Sequence, residues 1–155
     1  MSGSDKKSFS KTARVRARRS VVQALYQWSM DNKPMSDVIL EFEKDRSELG
    51  RADIEYFREL LNGVNKHIDE LDRHLSPLVD RPLAEIDPVE KAILHLGIYE
   101  LLYHIELPWR VVLNESIELA KMFGADQSLG DSELLTPRST AKSSKVVPKL
   151  SNTAN

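Results

Sequence analysis

Residues 11–31 read KTARVRARRSVVQALYQWSMD. A dense cationic segment passes without a linker into an amphipathic helix. Ala13, Ala17, Val21, Ala24, Leu25 and Trp28 recur at three- and four-residue spacing, so they share one face. That face predicts a packed helix over about 12–31, with Trp28 in its core. Arg14, Arg16, Arg18 and Arg19 fan around the rest of the same cylinder. Near a helix N-terminus such charge opposes the macrodipole, by about 0.3–1 kcal/mol per exposed cation. Selection for packing alone would place Asp or Glu there. The pattern therefore implies an anionic partner.

The flanks differ in character. Residues 1–10, MSGSDKKSFS, are small, polar and charged, and read as a disordered basic arm. Downstream, Asn32, Lys33 and Pro34 end the first helix, because Pro cannot continue the hydrogen-bond ladder. Ser36 is placed to cap a second helix over about 37–46, with Val38, Ile39 and Phe42 as its apolar stripe. Asp53 is placed to cap a third, long helix over about 54–75. Its apolar set is Ile54, Phe57, Leu60, Leu61, Val64, Ile68, Leu71 and Leu75.

Asp87-Pro88-Val89-Glu90 is the sharpest local start signal, with Asp as cap, Pro at the first helical position and Glu three residues past the cap. The helix it opens, about 88–104, is apolar over most of its circumference and belongs at the centre of a bundle. Gly97 in its middle predicts a close helix crossing. After Pro108 a last clear helix covers about 109–122, and Gly124 has the position of a helix-ending glycine. From about 129 to 155 the chain is rich in Ser, Thr, Pro and Lys, lacks any period, and reads as disordered. No stretch alternates as a strand does. The fold class is all-α: a compact helical bundle of about six helices in two small subdomains, with a disordered N-terminal arm and C-terminal tail.

Composition narrows the function. The 155 residues hold no cysteine, which excludes disulfides, thiolate metal sites and a Cys nucleophile. No apolar run is long enough to span a membrane, and no secretory leader is recognisable. A cytoplasmic protein is expected. The net charge of −2 hides an asymmetry, with seven Lys/Arg against one Asp in residues 1–20 and 15 against 23 Asp/Glu in the rest. A basic end on an acidic body is the pattern of a nucleic-acid arm on a body that meets other proteins.

Catalytic signals are missing. His67, His74, His95 and His104 have no metal-ligand spacing and read as solvent-facing or capping residues. There is no phosphate-binding glycine loop and no nucleophile elbow. No enzymatic activity, cofactor or metal is expected. Aromatic residues near the cations matter more, since unpaired bases stack on them. Tyr26 is placed at the edge of the core. Phe123 is either a core residue or a stacking platform.

Taken together, ARVRARRSVVQALYQW, FRELLNGV, DPVEKAILHLGIYEL and NESIELAKMFGA, in this order and spacing, resemble the NusB family of transcription antitermination proteins over about residues 12–128. The resemblance implies an all-helical pair of small bundles, here residues 11–128. It implies binding of single-stranded boxA RNA from ribosomal RNA operon leaders, together with NusE, a ribosomal small-subunit protein. It also implies action on elongating RNA polymerase within the antitermination complex. The RNA contacts it implies are Arg14, Arg16 and Arg18, with Val15 in place of a frequent cation and Arg19 supplying one beside it. Lys11 and Phe123 complete the candidate RNA set. Tyr26 and Glu90 match the family's NusE-facing positions.

The family continues after the FGA motif into a final helix, whereas this chain keeps Ser128 and then reads LGDSELLTPRS. Loss of that helix would uncover apolar surface at about 25 cal/mol per Å² and lower stability or promote association. The alternatives are a helical protein-interaction scaffold or an impaired copy lacking part of the RNA site. A role like that of the NusB-like domains fused to RNA-modifying methyltransferases lacks its methyltransferase here.

Overall fold

The computed structural model describes residues 3–45 and 49–126, with side chains over 11–45 and 49–124. Six α-helices and no strand occur among the described residues. They are α1 (Gly3–Asp31), α2 (Met35–Lys44), α3 (Ile54–Lys66), α4 (Ile68–Leu75), α5 (Pro88–Tyr103) and α6 (Trp109–Asp126). Single 3₁₀ turns at Ser76–Leu78 and Leu83–Glu85 connect α4 to α5. The chain divides into two compact units, Met1–Lys66 and His67–Asn155.

In the first unit α1 packs on α2 and α3. Ala17, Val21 and Leu25 meet a core built from Val38, Ile39, Phe57, Leu60, Leu61 and Val64. The helix α1 begins at Gly3, well before the expected start near residue 12. Residues 4–31 contain neither Pro nor Gly, so no helix breaker falls within them, even over 4–10, read as part of a disordered arm. At its other end Asn32 takes a left-handed φ of 54° ahead of Lys33 and Pro34, a conformation Asn tolerates. Trp28, expected in the core, is only half-buried.

Ser36 does not cap α2. The cap position belongs to Pro34, whose ring-fixed φ of −58° lets the helix start two residues early, with no side-chain cap. Asp53 does cap α3, its Oδ1 accepting from the Tyr56 N–H at 3.0 Å.

The single long helix expected over 54–75 is interrupted at His67, which adopts φ −109°, ψ 17°. His67 instead opens α4, its carbonyl accepting from the Leu71 N–H at 2.9 Å. Leu60, Leu61 and Val64 are buried on α3, and Leu71 and Leu75 are buried on α4.

In the second unit α5 packs on α4 and α6. Asp87 caps it, accepting from the N–H groups of Val89 and Glu90 at 3.1 and 3.2 Å. Residues 92–101 are all buried, so the all-round apolar character has the consequence expected of it. A Cβ on Gly97 would lie 3.2 Å from Ser116 Oγ of α6, which is the close crossing the sequence predicts. Gly124 does not end α6, which runs through it to Asp126. A glycine permits the left-handed turn without imposing it. The tail over 129–155, and with it the expected loss of a final helix, lies outside the described residues.

Candidate nucleic-acid interface

The early start of α1 changes the electrostatics of its arginines. Arg14 lies eleven residues inside the helix, beyond the first turn where the macrodipole acts, so the expected opposition to the dipole does not arise there. The arginines are displayed from the middle of a continuous helix.

They are displayed unequally. Lys11 and Arg19 are exposed, and Arg14 and Arg16 are half-buried. Arg18 is 5% exposed. Its guanidinium carbon lies 5.4 Å from the centroid of the Tyr56 ring, and one terminal nitrogen donates to the Tyr56 hydroxyl at 3.5 Å. The Arg14 guanidinium stands 4.7 Å from the same ring centroid. Its Nε is 3.9 Å from Asp53 Oδ2, an ion pair too long for a hydrogen bond.

This cluster is held from below. The Asp53 N–H donates to the Ala13 carbonyl at 3.0 Å, tying the start of α3 to the backbone of α1. Asp53 thus joins three tasks: it caps α3, pairs with Arg14 and bonds to α1. Lys11, Arg16 and Arg19 form no ion pair among the described residues.

The candidate partner-facing residues lie in different units. Tyr26, 40% exposed, lines an open cleft of about 490 Å³ in the first unit with Gln23, Gln27, Met30, Glu41 and Phe42. The Lys33 ammonium bonds Glu41 at 2.7 Å. That bond is the main reason the Glu41 carboxyl is held below its usual range. In the second unit the Glu90 side chain is 14% exposed and lies 3.8 Å from the Arg81 guanidinium. Phe123 is half-buried on α6.

The histidines are more structural than expected. His95 is buried, with Nε2 2.7 Å from the Asp72 carboxylate of α4. Burial pushes its pKa below the ordinary 6.5, outweighing the upward pull of Asp72. His67 stacks on Tyr103, with centroids 4.4 Å apart, and Tyr103 stacks on Tyr99 at 5.1 Å. His104 is the capping residue of α5, its N–H donating to the Glu100 carbonyl. No group of three or more metal-ligating side chains gathers among the described residues. No helix there is long and apolar enough to cross a membrane.

Sequence reasoning missed Tyr56 and the burial of Arg18. One signal for the second was present. Val21, Val22 and Leu25 stand three, four and seven residues after Arg18, which puts it on the packed face. Nothing local pairs residue 18 with residue 56.

Known proteins share both sequence and fold. The family model described as the NusB family matches residues 15–130. The transcription antitermination protein NusB of Halorhodospira halophila is 50% identical over 115 residues, spanning 74% of this chain and 73% of that protein. The protein of the same name from Marinobacter nauticus is 49% identical over 114 residues, spanning 74% and 72%. The structure of T. maritima NusB superposes with a TM-score of 0.70 at 23% identity, over 90% of each chain, and speaks to the fold alone. The family match ends at residue 130, close to where the sequence leaves the family pattern. With half of its residues shared over most of each chain, and with the same helical fold, this protein belongs to the NusB family.

Proposed function

We propose that this protein is a transcription antitermination factor that binds single-stranded boxA RNA together with NusE and acts on elongating RNA polymerase. One observation carries the reading. Lys11, Arg14, Arg16 and Arg19 are presented along one rigid helix, three of them without an intramolecular ion pair among the described residues, on a chain whose remainder is acidic. Cations carried on one helix meet phosphates in a set register, whereas a floppy tail would not.

The NusE side of the reading rests on Tyr26, exposed in its cleft, and on Glu90. Phe123 is the stacking candidate for a base. Chemistry is not part of the role, which is to hold RNA and protein together.

A gel shift with boxA-type RNA, with and without NusE, tests the proposal. Binding that strengthens when NusE is added supports it. NusE binding without RNA binding makes the protein a scaffold, and binding of neither overturns the reading.

A further inference from the structure

Two arginines, four residues apart on α1, converge on one tyrosine of α3. Arg14 and Arg18 lie 4.7 and 5.4 Å from the centroid of Tyr56. Tyr56 itself is 6% exposed, so its ring is fixed by packing. The two cations differ in access. Arg18 is buried, while the Arg14 side chain keeps 40% of its surface in water. The Arg14 Nε is buried and has no hydrogen-bond partner. The ring and the Asp53 carboxylate therefore fix the root of the guanidinium, and its outer part remains in solvent.

We infer that Tyr56 is a positioning residue for RNA binding: its ring holds Arg14 in one orientation at the surface, with Arg18 as a buried support and not a phosphate contact. The inference rests on the RNA-binding reading above. A free arginine loses side-chain entropy when it grips a phosphate, by up to about 1.5–2 kcal/mol for a long side chain. An arginine already held over a ring loses less, so part of the ordering cost falls on folding and not on binding. Cation–π attraction supplies the hold, and the edge of the Asp53 carboxylate limits rotation.

The test is a cycle of RNA affinities with NusE present, using Tyr56→Leu, Tyr56→Phe, Arg14→Ala and the double variant Tyr56→Leu/Arg14→Ala. Thermal melting confirms that each is folded. Tyr56→Leu is expected to weaken binding about fivefold, the factor matching a cation–π contact of about 1 kcal/mol. Tyr56→Phe keeps the ring and should restore most of that loss. In the double variant the two losses should not add, because the leucine acts only through Arg14. Additive losses, or wild-type affinity in a folded Tyr56→Leu protein, overturn the inference. If Tyr56→Leu does not fold, Tyr56→Phe decides: a loss as large as that of Arg14→Ala would overturn the role of the ring. The reading itself fails differently, by Arg16→Ala with Arg19→Ala leaving RNA binding unchanged.

Discussion

The helices α1 and α5 each pack on two neighbours in their own unit, yet they treat polar groups in opposite ways. In α5 every residue from 92 to 101 is buried, and His95 and Glu100 go inside with the rest. In α1 one face is buried and draws Arg18 in with it, while Lys11, Arg14, Arg16 and Arg19 stay at least partly in water. The closed middle of α5 can only stabilise, whereas its first turn carries Glu90, which is only half-buried. A helix with an open face can also bind, and the price is a charged surface that the fold does not use. Among the polar groups they bury, His95 is held by Asp72 and Arg18 by Tyr56.

The contrast is broken most strongly from the closed side. Leu96→Ala removes a fully buried side chain of α5 and should lower the unfolding free energy by about 2–5 kcal/mol, read by urea titration. The folded fraction should still bind RNA with an unchanged salt slope. A shallower slope would mean that α5 shares in the interface.

Arg16→Ala with Arg19→Ala should do the reverse. Stability should stay within about 0.5 kcal/mol, while the slope of log affinity against log salt becomes shallower by about 1.4, or about 0.7 for each phosphate left without its cation. A large drop in melting temperature would show that the open face of α1 also stabilises the fold.

Acid should act through the second unit. His95 has a folded pKa below its ordinary 6.5, so the unfolded chain binds the proton more readily. The stability this provides is complete above 6.5 and is lost as pH falls through that value toward the folded pKa. Melting at about pH 7.5 and about pH 5.5 should therefore differ in the wild type and differ less in His95→Gln. An unchanged difference would assign the acid sensitivity to other groups.

The smallest effect concerns the start of α5. Asp87→Ala removes two capping bonds and should cost about 1 kcal/mol, with Asp87→Ser close to wild type. Equal losses for Ala and Ser would make the carboxylate charge, and not the cap, the source of stability.

Local and periodic features were legible in the sequence. Asp53 and Asp87 cap because a short side-chain acceptor before an apolar run has one obvious use. The enclosure of α5 and its close approach at Gly97 follow from an apolar circumference with one residue lacking a side chain. Boundaries were less legible. The apolar period of the sequence runs through His67 without marking it, yet the helix breaks there. Pro34, and not Ser36, takes the cap of α2 because a ring-locked φ outweighs a hydroxyl two residues later. For the candidate site, the cationic segment and Tyr26 were visible from the sequence. The division of labour among the arginines was not.

The sequence by itself determined that this chain is all-helical, which faces of its helices are apolar, where its cationic segment lies, and which family its motifs resemble. These are properties of spacing along one chain, and spacing is all that periodicity reads. Only the tertiary structure decided that Arg18 is internal and that Arg14 is held at its root. It alone decided that His95 is buried against Asp72, with its pKa pushed down. Whether a charged side chain meets water, a ring or a carboxylate depends on what a distant segment brings beside it. Residue 56 reaches residues 14 and 18 only once α3 has folded onto α1.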